Sequence, residues 1–223
     1  MTTPLIDATE MYLRTVWELE EEGITPIRAR LVERLGLSAP AVSETVTRLE
    51  HEGLVHINDD RTLTLSAHGR ELAMSVMRKH RLAELLLTEV IGLEWEQVHN
   101  EACRWEHVIS DAVEQRLIEL LDSPTTCPHG NPIPGMTDAD APQRPLQTLA
   151  EAARTGGRVT VCRISEKLQG DVTAMRWLRT NGLQPGATAG VSLGDGLVVA
   201  EVAGEAVPIP DRSADNIYVT PAA

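Results

Sequence analysis

The run His99-Asn100-Glu101-Ala102-Cys103-Arg104-Trp105-Glu106-His107 gathers two imidazoles, a thiol and carboxylates into a short span. These are the side chains that ligate transition metals. At about 100° per residue on a helix, His99, Cys103, Glu106 and His107 fall on one side. One ion cannot take all four, because two turns, about 12 Å of rise, separate His99 from His107. Two sites are the natural reading, with His99 serving one and Cys103, Glu106 and His107 the other. Upstream, His80 and Glu84 have the i,i+4 spacing that lets both grip one cation from one helix face. With His99 they make an N,O,N set, whereas the S,O,N set needs further ligands from elsewhere in the chain. Mixed sulfur, nitrogen and oxygen donors suit a transition metal rather than calcium or magnesium. The spacing is not that of a cysteine-rich structural zinc site. Any one of these residues alone is far better explained as a core thiol, a solvated carboxylate or a hydrogen-bonded imidazole. The constellation carries the reading. Of the other thiols, Cys162 reads as strand core and Cys127, in a proline-rich turn, as the least buried. His51, His56, His68 and His129 follow no pattern.

Elements must hold these groups in place. Residues 7–23 predict a first helix, with Asp7 and Glu10 at capping-box spacing and Tyr12, Leu13, Val16, Trp17 and Leu19 as its apolar stripe. Thr25-Pro26 predicts the N-cap and first turn of a second helix, closed by Gly36. Ser38 caps a third, whose inner face is Val42, Val46 and Leu49. Leu54–Ile57 and Thr62–Leu65 flank the polar turn Asn58-Asp59-Asp60-Arg61, a hairpin pattern. Three short helices and a hairpin, with Leu35-Gly36-Leu37-Ser38 as a tight turn, are the order of a winged helix-turn-helix. Ala41, Glu44 and Arg48 then face outward to meet base edges, with Ser38, Pro40 and Ser43 at the helix N-terminus. Arg28, Arg30, Arg34 and Arg61 are the candidate phosphate contacts. Helices are expected at about 67–91 and 94–122, broken at Gly92. Prolines crowd residues 124–145, so about 124–156 is expected to be an ordered turn running into a linker. Beyond Gly157, Val159–Ile164, Thr188–Leu193, Leu197–Val202 and Tyr218–Thr220 read as strands around a helix at 171–181. That is a small β-barrel domain.

Charge argues the other way on DNA. The chain carries 20 Lys+Arg against 33 Asp+Glu, a net −13, and residues 1–65 hold 6 basic against 12 acidic residues. Binding through phosphate neutralisation alone is thereby excluded. No apolar run approaches the length of about 18 residues that a membrane span needs, and no basic region with an apolar stretch opens the chain. Three cysteines do not make a disulfide framework, so a cytoplasmic location is expected. A metal-dependent hydrolase would need an open coordination position with an acid–base group tied to it. No nucleophile motif, phosphate-cradling glycine loop or spare carboxylate pair meets that need.

A winged helix followed by His80-Arg81-Leu82-Ala83-Glu84, then His99 and Cys103-Arg104-Trp105-Glu106-His107, then Gly130-Asn131-Pro132-Ile133-Pro134-Gly135, resembles the diphtheria toxin repressor and iron-dependent regulator family. The likeness runs from about residue 6 to 135. The tail is similar to that family's SH3-like domain at Ile164-Ser165-Glu166-Lys167-Leu168-Gln169-Gly170-Asp171. The resemblance implies a mainly α multidomain chain: a winged helix-turn-helix DNA-binding domain (1–73), a helical dimerisation and metal-binding domain (74–140), a linker (141–156) and an SH3-like small β-barrel (157–223). It also implies an iron(II)-activated repressor of iron-uptake, siderophore and iron-homeostasis genes. Its partner is double-stranded operator DNA, bound as a homodimer with one or two dimers per operator, with no membrane and no small-molecule substrate. The implied primary site is Met11, Cys103, Glu106 and His107, and the ancillary site is His80, Glu84, His99, Glu166 and Gln169. Two ions per subunit follow, Fe(II) in the cell, with Co(II), Ni(II), Mn(II) and Zn(II) substituting in vitro. In the manganese-sensing branch acidic residues replace the two sulfur ligands, so Met11 and Cys103 favour iron over the manganese-responsive alternative. Two departures stand out. Iron-sensing members carry Gln where this chain has Glu44, and a serine where it has Cys127, in an anion pocket with Arg81 and Asn131.

Overall fold

The computed structural model describes residues 8–136, 146–210 and 213–222. They form two compact units. The first runs to His80 and includes Cys103–Gln115. The second comprises Arg81–Ala102 and the chain from Arg116 onward. One helix, Ala67–Leu85, runs unbroken through the boundary expected at residue 73, and the boundary expected at 140 lies outside the described residues.

The first unit opens with α1 (Ala8–Glu21), α2 (Arg28–Leu35) and α3 (Ala39–His51), then the antiparallel hairpin β1 (Val55–Ile57) and β2 (Leu63–Leu65). Tyr12, Leu13, Val16 and Leu19 of α1 pack with Leu31, with Val42, Val46 and Leu49 of α3, and with Val55, Leu63 and Leu65 of the hairpin. This aliphatic core confirms the stripes read from the sequence. The start of α2 is different. Pro26 is not its first residue: the Pro26 carbonyl accepts from Leu63 N at 2.8 Å and Ile27 bridges Thr62, so Thr25–Ile27 runs extended beside the hairpin. Ile27, with no capping side chain, is the N-cap. Ser38 does cap α3, accepting from Ala41 N. The capping spacing at Asp7 lies outside the described residues.

Helix α4 (Ala67–Leu85) continues into a π-helical stretch, Leu86–Ile91, that ends at Gly92 with φ +78°. This is the stop expected there, in a conformation that costs glycine little. The single helix expected over 94–122 is instead α5 (Val98–Trp105) and α6 (Asp111–Leu120). Ser110 restarts the helix, its carbonyl accepting from Glu114 N and its hydroxyl from Val113 N. Glu106 and His107 therefore sit in a turn after α5, not on its face.

In the second unit, β3 (Gln147–Thr148), α7 (Leu149–Thr155), β4 (Gly157–Ile164), α8 (Glu166–Gln169), α9 (Val172–Thr180), β5 (Thr188–Gly194), β6 (Leu197–Val202), β7 (Glu205–Pro208) and β8 (Ile217–Pro221) build the C-terminal β domain. The sheet is antiparallel, in the order β3-β8-β4-β5-β6-β7. Its core includes Val159, Val161, Ile164, Met175, Leu178, Val191, Ile217 and Val219. The linker expected to 156 does not extend that far. Thr148 and Glu151 form a reciprocal capping box, and Leu149, Ala152 and Ala153 of α7 are buried in this core. Gly130 shows how tightly the loop before it is held: a Cβ there would lie 2.0 Å from the Cys162 carbonyl oxygen of β4.

Candidate metal centre

In the first unit the turn after α5 lies against α1. Glu106 is almost wholly buried and accepts from Arg14 Nη1 at 2.6 Å on both carboxylate oxygens. The same Nη1 lies 3.4 Å from Cys103 Sγ, while Arg14 Nε donates to Glu18 at 2.6 Å. His80 Nδ1 and His107 Nε2 complete the surround, 2.6 Å and 3.2 Å from Glu106. His107 Nδ1 is 2.6 Å from Glu10 Oε2. Met11, half-buried on α1, sits between Glu10 and Arg14, the two residues through which that helix reaches the ligand turn. Cys103, Glu106 and His107 are thus gathered beside the helix that bears Met11. His80, expected in the other set, has one ring nitrogen committed to Glu106. Sequence reasoning did not foresee Arg14, a cation among cation ligands.

Electrostatics follow from these contacts. Burial opposes ionisation of Glu106, but the Arg14 charge, with hydrogen bonds from His107 and His80, holds its carboxyl well below the usual range. His107 is pushed up to about 9, chiefly by Glu10 and then by Glu106. These contacts balance buried carboxylate charge with a guanidinium and a protonated ring.

In the second unit, His99 Nδ1 lies 3.4 Å from Glu84 Oε1 and 3.2 Å from Glu166 Oε2. Glu84 reaches this cluster from the end of α4, His99 from α5, and Glu166 from α8, where Ser165 caps the helix. Gln169, fully buried, donates Nε2 to the Ile164 carbonyl, and its Oε1 has no hydrogen-bond partner among the described residues. The structure adds two residues to this set. Cys127, read from the sequence as the least buried thiol, is instead the most buried of the three, and its sulfur, His129 and Glu84 present ligand atoms within 4.8 Å of one another. Burial, then the Glu84 and Glu166 charges, push the Cys127 thiol up. His129 Nδ1 faces Glu84 Oε2 at 3.2 Å without the alignment of a hydrogen bond. The Cys-x-His spacing at 127 and 129 was the available signal. Buried imidazole and carboxylate atoms facing each other at this range, with an amide oxygen left over, fit a divalent transition ion. Arg81 and Asn131 spend donors inside the protein, Arg81 on Glu166 and the Pro132 carbonyl, Asn131 on the Ile164 carbonyl.

The outward face of α3 carries Ser38, Pro40, Ala41, Ser43, Glu44 and Arg48, all exposed. Arg48 is held by Glu52 at 2.8 Å. Arg61 stands exposed at the hairpin tip with φ +68°, and Arg30 is exposed beside Glu33. Arg28 has a buried Nε with no partner among the described residues. Arg34 is corrected as a phosphate contact. It turns toward the acidic end of α1, pairs with Glu22 and lies 4.0 Å from Glu18, leaving its side chain 8% exposed.

A helix-turn-helix with a hairpin wing, followed by buried mixed-donor ligand sets, defines a metal-binding winged-helix DNA-binding protein. Residues 4–63 match the iron dependent repressor N-terminal DNA binding domain, and residues 66–135 the iron dependent repressor metal binding and dimerisation domain. The iron-dependent repressor IdeR of Mycobacterium bovis is 47% identical over 96% of this chain and 97% of its own length. The diphtheria toxin repressor of Corynebacterium efficiens is 48% identical over 96% of each. Among solved structures, a manganese-dependent transcriptional repressor in complex with manganese superposes with a TM-score of 0.82, at 32% identity over 96% of this chain and all of that one. The chain belongs to the iron-dependent repressor family, whose members are transcriptional repressors rather than enzymes.

Proposed function

We propose that this protein is an iron(II)-activated repressor that binds operator DNA as a metal-loaded homodimer and controls iron-uptake, siderophore and iron-homeostasis genes from the cytoplasm. The observation that carries the reading is the contact between the ligand turn Cys103–His107 and α1, the first helix of the winged-helix core. Met11, Cys103, Glu106 and His107 would hold one ion. His80, Glu84, His99, Glu166 and Gln169 would hold a second, with Cys127 and His129 beside Glu84. Ligation supplies bonds that favour one setting of α1 over others. Moving a DNA-competent state from about 1% to about 99% takes roughly 5.5 kcal/mol of differential affinity. The sulfur donors Met11 and Cys103 support iron, since softness, geometry and availability, not raw affinity, select the metal in a cell.

On DNA, Ser38, Pro40, Ala41, Ser43, Glu44 and Arg48 enter the major groove while Arg28, Arg30 and Arg61 reach phosphates. The exposed apolar side chains Val90 and Ile91, 58% and 55% accessible, support a homodimer face after α4. The test is capture of genomic DNA fragments with Fe(II), Mn(II) or chelator. Retention only with Fe(II) supports the reading, and retention in chelator overturns it.

A further inference from the structure

We propose that Arg14 is an internal competitor for the metal and so sets the affinity of the Cys103–Glu106–His107 site, an inference that rests on that site being the one proposed above. Arg14 is only 8% exposed, yet its Nη1 lies 2.6 Å from both Glu106 oxygens and 3.4 Å from Cys103 Sγ. One nitrogen thus stands where a cation shared by this carboxylate and this thiol would stand. A first-row metal takes such oxygen and sulfur donors at about 2.0–2.3 Å, which leaves no room for the guanidinium nitrogen between them. Two positive centres so close in a buried pocket also repel strongly. Occupancy of the ligands and the present position of Nη1 are mutually exclusive.

Arg14 has an alternative partner within reach. Its Nε already donates to Glu18 at 2.6 Å, so the side chain can give up Glu106 without becoming an unpaired buried charge. The arrangement is a tethered counterion. Arg14 satisfies both Glu106 oxygens, and each binding event must displace it. The metal concentration at which the site fills is therefore raised by whatever the Arg14–Glu106 contact is worth.

Titration of metal-free protein with Co(II), without DNA, tests this through the thiolate-to-cobalt charge-transfer band. A Cys103→Ala control identifies the band that belongs to this site. Arg14→Gln should bind Co(II) at least about tenfold more tightly than wild type, equivalent to about 1.4 kcal/mol. If that variant folds poorly, Arg14→Lys carries the test. A lysine ammonium cannot span Glu18, Glu106 and Cys103 together, so it should tighten binding by a smaller factor. Unchanged or weaker Co(II) affinity in a folded variant overturns the proposal. Absence of a Cys103-dependent band in wild type would remove the site itself, and the competition with it.

Discussion

Glu10→Gln changes no expected ligand, yet it should alter how metal affinity depends on pH. His107 must shed a proton to become a ligand, and Glu10, 2.6 Å away, is the largest reason it holds that proton up to about 9. Below that value each pH unit costs about a factor of ten in affinity from this ring alone. Between pH 8.5 and 6.5 the gross penalty is about a hundredfold, which solvent screening of a half-buried ring reduces to about ten- to thirtyfold. With glutamine at position 10 only Glu106 still raises the ring, and the penalty over that interval should shrink by about three- to tenfold. Glu10 also orients the imidazole, so its loss lowers affinity at every pH by a roughly constant factor. The ratio between two pH values isolates the proton. The same proton acts oppositely on the metal-free fold: its stabilisation is complete below about 6.5 and disappears as pH rises through about 9. Calorimetric Mn(II) titrations at pH 6.5, 7.5 and 8.5, in buffers of differing ionisation enthalpy, give affinity and protons released together. Identical pH profiles and proton counts for wild type and Glu10→Gln would refute the assignment of that proton to His107.

Met11→Ala and Cys103→Ala should each abolish metal-activated operator binding while leaving the circular dichroism of the metal-free protein unchanged; wild-type retardation of operator DNA at the same Fe(II) would remove that residue from the site. Glu44→Gln should move one position of the preferred sequence from cytosine toward adenine, with about 1–3 kcal/mol of discrimination at stake, read from selection on a random duplex library. An unchanged consensus would place Glu44 off the base edges. Leu149→Ala should cost about 2–5 kcal/mol in urea unfolding, since α7 belongs to the β-domain core; a cost below about 0.5 kcal/mol would mean the segment behaves as a linker after all.

The winged helix was legible because its core is periodic: Val42, Val46 and Leu49 repeat at helical spacing, and Val55, Leu63 and Leu65 fall on the buried face of a short hairpin. The candidate metal cluster was legible for a different reason, since thiol, imidazole and carboxylate are uncommon company in nine residues. What failed was local geometry overruled by long-range contacts. Pro26 carries a helix-start signal, but its carbonyl is claimed by Leu63, which lies far along the chain. Glu106 reads as a helix-face residue, whereas Ser110 restarts the helix and Arg14 draws the carboxylate toward α1. Cys127 reads as the least buried thiol among prolines until Glu84 and His129 close around it. The proline cluster that ends at Pro145 led the linker to be carried on to 156, over a Thr148–Glu151 capping box that was readable in itself.

The inward turn of Arg34 bears on how the protein meets its ionic surroundings. Protein–DNA affinity falls with salt in proportion to the counterions that arginine and lysine displace from the duplex. Residues 1–65 have no lysine, and one of their few arginines is spent on Glu22. The three phosphate contacts proposed for each subunit, six in a homodimer, would still make affinity fall roughly a thousandfold between 50 and 200 mM salt. Turning Arg34 inward takes two further contacts from a dimer and so lowers the slope of log affinity against log salt by about 1.8, damping, without removing, the regulator's response to osmotic stress.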